Sequence, residues 1–209
     1  MKYAQATRGD HTRHEILVAA KVLFVARGYT ATTVRQVAAA AGITPAAIYN
    51  YFAGKDEIFS ALLLSLAPHN QLFELVRQLD ADSAEGLVQQ IFQRLLPFMA
   101  GHEDYVRLAM IDTQERNGAA LASLVPAVLP HAMELHQRLV TLDDPTGRLK
   151  QLPFPVFMRS LISLLVGFTV TGVVATQTHA LHIPDANWAS ALADIFLYGV
   201  LSSPRSVEA

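Results

Sequence analysis

The chain contains no cysteine. Disulfides, zinc–thiolate sites, iron–sulfur clusters and thiol nucleophiles are therefore excluded. Charge is sparse: Asp, Glu, Lys and Arg make up 16% of the 209 residues, whereas 52% are hydrophobic. That balance excludes a disordered chain, because there is ample apolar area to offset chain entropy. No alternating strand pattern persists, and no internal repeat is seen. A phosphate-cradling glycine loop, a nucleophile elbow and an HExxH motif are all missing, so nothing supports an enzyme. The start, Met1 to Gln5, leads into charged residues with no apolar signal region, which points to a cytoplasmic protein.

Histidine is present but poorly arranged for a metal. His11/His14 and His179/His182 have i,i+3 spacing, yet no carboxylate or thiolate completes either set. His131 and His136 fall on different helical faces, and His102 sits in a turn. Structural or solvent-facing roles are expected for all of them, with no metal and no cofactor. Asp112 and Glu115 share a helical face and read as solvated surface.

The net charge of −2 is unevenly spread. Residues 1–60 hold seven Lys/Arg against four acids; residues 61–209 hold nine against fourteen. A basic head on an acidic body suggests a polyanion partner for the head.

Nearly every segment has helical periodicity. Thr12-Arg13-His14-Glu15 is a capping box that predicts a first helix from Thr12, ended by Gly28. A second box, Thr33-Val34-Arg35-Gln36, opens a short helix closed by Gly42. Thr44 caps a third, Pro45 to about Phe52, with proline where its missing N–H costs nothing. Asp56 and Glu57 suit the start of a fourth, predicted to kink at Pro68 and run on to about Leu79. Breaks at 80–83, 101–102, 117–118, 143–154 and 183–185 imply helices near 84–100, 103–116, 119–142, 155–179 and 186–202. The total is nine: three short ones in the head and six in the body.

Two short helices at 33–41 and 45–52, joined by a tight turn with Gly42, have helix-turn-helix spacing. The residues are more specific: Gly28-Tyr29-Thr30, Thr32 through Ala38, Ala41-Gly42-Ile43, Ile48-Tyr49-Asn50-Tyr51-Phe52 and Lys55-Asp56-Glu57. In this order the chain resembles the TetR family of bacterial transcriptional regulators over residues 12–60. The resemblance implies an all-α fold: a helix-turn-helix DNA-binding domain (1–56) and a six-helix ligand-binding and dimerisation domain (57–209).

Roles follow from chemistry and from that resemblance. Thr33, Arg35 and Gln36 open the bracing helix and are expected to take a phosphate. Thr44, with Pro45 behind it, and Lys55 flank the recognition helix and are further phosphate candidates. Ala46, Ala47, Tyr49 and Asn50 are expected to face bases: alanine suits a thymine methyl, and asparagine can pair bidentately with adenine. Tyr51 is assigned to the DNA backbone. Ile48 and Phe52 should turn inward onto Ile16 and Phe24.

No charged residue stands between Arg159 and Asp185. The run is long enough to span a bilayer, but its serines, threonines, Gln177 and His179 favour a buried helix. A homodimer explains it, and in the resembled family the last two helices of each subunit pair into a four-helix bundle. Gly167 and Gly172 would permit close approach. The family's body binds an inducer; here the apolar candidates are Phe92, Phe98, Met99, Tyr105, Met110, Met133, Phe154, Phe157, Met158 and Phe168. The expected function is a repressor that reads a palindromic operator as a homodimer and is released by a small apolar ligand. The alternative is a helical sensor, membrane-associated or protein-binding.

Overall fold

The computed structural model describes residues 8–142, 153–178 and 187–201. Among these, the elements are ten helices and no strand. They are α1 (Arg8–Arg27), α2 (Val34–Ala40), α3 (Pro45–Ile48), α4 (Lys55–Leu66), α5 (His69–Arg77), α6 (Ala84–Ala100), α7 (Glu103–Arg116), α8 (Ala119–Thr141), α9 (Phe154–Thr178) and α10 (Trp188–Leu201). The expected all-α architecture is borne out. His179, His182 and most of the expected 143–154 loop lie outside the described residues.

Three expected boundaries are corrected. Helix α1 already runs from Arg8, so Thr12 lies inside it and is not its cap. Pro68 separates two helices where one kinked helix was expected. The residue before a proline is pushed out of the α region, and Ala67 accordingly has ψ 115°. Helix α3 stops at Ile48 rather than Phe52. Beyond it, Asn50 and Tyr51 N–H groups bond three residues back, to Ala47 O (3.2 Å) and Ile48 O (2.9 Å), the tighter geometry common at helix ends.

Other local signals act as expected. Gly28 (φ +80°) and Gly42 (φ +69°) end α1 and α2 in the left-handed region that glycine tolerates. Pro45 takes the first position of α3.

The chain forms two compact units: Met1–Ala67 with Glu103–Pro126, and Pro68–His102 with Ala127–Ala209. In the first, α1 packs on α2, α4 and α7, and α2 on α3. Its core is Ile16, Leu17, Ala20 and Phe24 from α1 with Val37, Ala38, Ile48, Phe52, Ile58, Phe59, Leu62, Leu63, Leu108 and Ala120. Phe24 and Phe59 meet edge-on, ring centroids 5.0 Å apart. Full burial of a side chain of this kind contributes about 1.5–3 kcal/mol.

In the second unit α6 packs on α9 and α10. Leu87, Ile91, Phe92, Phe157, Leu161, Phe196 and Leu197 lie in one apolar core. Arg138 of α8 donates to Val76 O at 3.1 Å and also to Leu79 O, satisfying carbonyls left over at the end of α5.

Candidate nucleic-acid interface

The second and third helices are built by their caps. Thr33 Oγ1 accepts from Gln36 N–H at 3.2 Å, and Gln36 Oε1 accepts from Thr33 N–H at 2.9 Å. Both halves of the expected capping box are therefore present. Thr44 Oγ1 accepts from Ala47 N–H at 3.2 Å and starts α3. The inner face of α3 is locked: Ile48 is fully buried and Phe52 is 1% exposed, both in the core with Ile16 and Phe24. Arg13 covers the Phe52 ring at 4.8 Å.

Fixing that face turns the other outward. Tyr49 is 60% exposed, although tyrosine in a helical domain usually buries its ring. Thr44, Pro45, Ala46 and Asn50 are also exposed, and Ala47 is half-buried. On α2, Thr33 and Arg35 are exposed and Gln36 is half-buried. Tyr51 is half-buried against the first unit's core.

Lys55, expected to contact a phosphate, is bonded within the chain here. Its ammonium donates to Tyr29 O at 2.9 Å and Thr30 O at 3.5 Å, and lies 4.1 Å from the Tyr29 ring centroid. Beside it, Tyr29 OH donates to Asp56 Oδ1 at 2.7 Å. That bond holds the Asp56 carboxyl below its usual range, and burial together with Asp56 pushes the Tyr29 hydroxyl up.

Residues of α7 complete this cluster, and sequence reasoning missed them. Asp112 is fully buried, not solvated surface as expected. Its carboxylate accepts from Ala120 N–H (3.0 Å) and Leu121 N–H (2.9 Å), capping α8, whose own sequence lacks a capping residue. Arg116, its side chain 7% exposed, donates to Asp112 at 2.8 Å, Asp56 at 3.3 Å and Ser60 at 3.0 Å. Glu115 Oε2 accepts from Thr30 N–H at 2.6 Å, and hydrogen bonds from Thr30 hold its carboxyl below the usual range. A Cβ at Gly28 would stand 2.5 Å from Glu115 Oε1, so glycine is required there for space as well as for φ. The i,i+4 spacing of Asp112 and Arg116 was a visible signal; the distant partners of Arg116, Asp56 and Ser60, were not.

A capped two-helix element with an inward-locked second helix and an outward polar-aromatic face matches a helix-turn-helix reader. The family model for bacterial regulatory proteins of the tetR family matches residues 16–62. Residues 16–62 thus carry a tetR-family regulatory segment. The chain is 35% identical to the HTH-type transcriptional regulator HbdR of Aromatoleum sp. (strain CIB) over 114 residues, 54% of this chain and 44% of HbdR. It spans under half the length of the first curated relatives it matches, 28% in one and 45% in another.

Two crystal structures share this chain's fold over most of its length. NalD, the secondary repressor of the MexAB-OprM multidrug efflux pump in Pseudomonas aeruginosa, has a TM-score of 0.63 at 24% identity, covering 92% of this chain and 98% of NalD. The transcriptional regulator FadR from Bacillus subtilis, in complex with stearoyl-CoA, has a TM-score of 0.61 at 15% identity, covering 90% and 98%.

The expected ligand set is divided. Phe92 and Phe157 are core residues, each with its ring within 6 Å of Phe196. Met158 and Phe168 pack around that core, and Phe168 also meets Trp188 at 5.5 Å. Phe98 meets the His102 ring at a tilt, centroids 4.4 Å apart, with Met99 half-buried next to it in sequence. Phe154 meets His136 at 5.5 Å. Tyr105 and Met110 belong to the other unit, and Met133 is 51% exposed. Among the described residues no group of three or more His, Asp or Glu is arranged for a metal.

Proposed function

We propose that this chain is a cytoplasmic TetR-family transcriptional repressor that binds a palindromic operator as a homodimer. The observation that carries the reading is the outward face of α3, where a 60%-exposed Tyr49 stands beside exposed Asn50 and Ala46 on a helix locked from within. Those residues, with Ala47, read base edges in the major groove. Thr33, Arg35, Gln36, Thr44, Pro45 and Tyr51 sit along the phosphates. Lys55 joins them by exchanging its bonds to Tyr29 and Thr30 carbonyls for a phosphate oxygen.

Dimerisation uses α9 and α10. Phe154–Gly172 has mean hydropathy 1.6, and 17% of it is buried within the chain. Val156, Ile162 and Ile195 are exposed at 49%, 49% and 59%. A second copy would cover that surface and place two α3 helices on one DNA face. Release comes from a small apolar ligand bound in the 57–209 region; the analogy with FadR, in complex with stearoyl-CoA, extends to that ligand's apolar acyl chain. It acts through α4, and only to the extent that it binds the DNA-free arrangement more tightly.

The same apolar helix supports a second reading, a membrane-associated sensor. Hydroxyl-radical footprinting on the gene's own upstream DNA, run with membrane fractionation of the expressed chain, tests both. Two symmetric protected patches and a chain in the supernatant are expected. Absence of any footprint, with the chain in the membrane pellet, overturns the repressor in favour of the sensor.

A further inference from the structure

The least exposed ionic cluster in the first unit is one no base or phosphate contact uses. Arg116 and Asp112 have side chains 7% and 0% exposed, while Asp56 at the far end is 80% exposed. Removing one partner of a buried charge pair strands the other, so such pairs fix an arrangement even where they add little stability. Arg116 holds three things at once: Asp112 in its own helix, and Asp56 and Ser60 in the first two turns of α4. Its guanidinium also lies over the Tyr29 and Phe59 rings, at 5.1 and 4.7 Å. Asp112 in turn caps α8, which continues beyond Pro126 into the second unit. One side chain thus ties the corner between α7 and α8 to both segments that flank the two DNA-facing helices.

We propose that Arg116 is a positioning residue for DNA reading: it holds the first turns of α4 and the Tyr29–Thr30 turn on the α7–α8 corner, so a displacement at that corner reaches Lys55 and the start of α2. This rests on the DNA-reading role given to α3 above. Arg116 touches no DNA. It sets where Lys55 and the Thr33 end of α2 stand, and so the ratio of operator to non-specific affinity.

Asp112→Asn separates positioning from plain stabilisation, because Asp112 touches neither Tyr29 nor Asp56. The full-length variant is compared with wild type by amide hydrogen exchange and by titration with upstream and scrambled DNA. Exchange about fivefold or more faster in 28–33 and 53–60, with upstream affinity reduced similarly and scrambled-DNA affinity unchanged, is expected. Faster exchange confined to 112–124, with the affinity ratio intact, overturns the proposal.

If Asp112→Asn does not fold, Arg116→Lys and Tyr29→Phe carry the test. Lysine keeps the charge but cannot serve three partners, so it should not rescue. Phenylalanine keeps the ring packing and loses only the bond to Asp56, so a smaller loosening of 53–60 is expected. Wild-type exchange and affinity ratio in both variants also overturn the proposal. Wild-type chain that ignores upstream DNA removes the DNA-reading role and this proposal with it. Binding by wild type, with unchanged 28–33 and 53–60 in the variants, removes the proposal alone.

Discussion

Helices α3 and α9 both present side chains to solvent, for opposite physical reasons. The four residues of α3 are short of any independent helix, and its shape comes from Thr44, Pro45 and the buried pair Ile48 and Phe52. Its exposed side is chemically varied: an aromatic ring, an amide and methyl groups. The twenty-five residues of α9 make a helix by length alone, and the large exposed side chains described on it, Val156 and Ile162, are apolar, with Arg159, Ser163 and Thr171 alongside. A varied face can discriminate among bases; an apolar one can only be covered. On the proposed reading, the same chain separates recognition from assembly.

The largest expected effect lies beneath α3. Phe52→Ala removes a fully packed ring and should cost about 3–5 kcal/mol in thermal or urea unfolding. A loss under about 1 kcal/mol would mean α3 is not locked from within.

On α9, Gly167→Leu tests assembly without touching the monomer. A Cβ there meets nothing within 4 Å, so leucine fits the isolated chain. Overpacking at a subunit contact costs about 1–3 kcal/mol. Sedimentation should show the dimer weakened and the monomer as stable as before; an unchanged sedimentation coefficient would remove α9 from the interface.

Tyr49→Ala sharpens the contrast on the recognition side. Upstream-DNA affinity should fall about tenfold or more, as for loss of a good base contact. Thermal stability should stay within about 0.5 kcal/mol, as for other surface changes. Equal loss of both would make Tyr49 a core residue.

Thr44→Ala removes the cap of α3 and should cost about 1 kcal/mol. Serine at that position should restore most of it.

The smallest effect is an acid dependence. Asp56 and Glu115 have carboxyls held below their ordinary range by Tyr29 and Thr30. Carboxyls depressed in the folded state stabilise fully above their unfolded pKa. That contribution is lost as pH falls through the ordinary carboxylate range, near pH 4, toward the lower folded values. Both side chains are largely exposed, so solvent screens the effect. Tyr29→Phe should flatten part of the drop in melting temperature between about pH 5 and pH 3; an identical acid limb would mean the Tyr29–Asp56 bond has no weight.

What the sequence made legible was local. The Thr33–Gln36 box, the Thr44-Pro45 start and the glycines at 28 and 42 each act within four residues, and each appears where expected. Ile48 and Phe52 point inward as helical spacing required. The Pro68 break was visible as a disturbance, but its depth depended on Ala67 leaving the α region. Asp112 was misread because burial of a carboxylate depends on what lies across from it: the orphan N–H groups of Ala120 and Leu121, and Arg116 reaching Asp56 sixty residues earlier. The role of the apolar ligand candidates is illegible for a similar reason. Phe92 and Phe157 have the composition of a pocket wall, and only packing against Phe196 makes them core.

The central claim is that α3, offered twice by a dimer, reads DNA through the side of it that faces solvent. Its most direct test is an anisotropy titration of the purified dimer on upstream and scrambled duplexes, at two salt concentrations, with wild type and Tyr49→Ala in parallel. Nanomolar, salt-sensitive binding that prefers the upstream duplex, with the preference lost in Tyr49→Ala, is the predicted result. Equal affinity for both duplexes, or a preference that survives in Tyr49→Ala together with changes at Asn50 and Ala46, would contradict it.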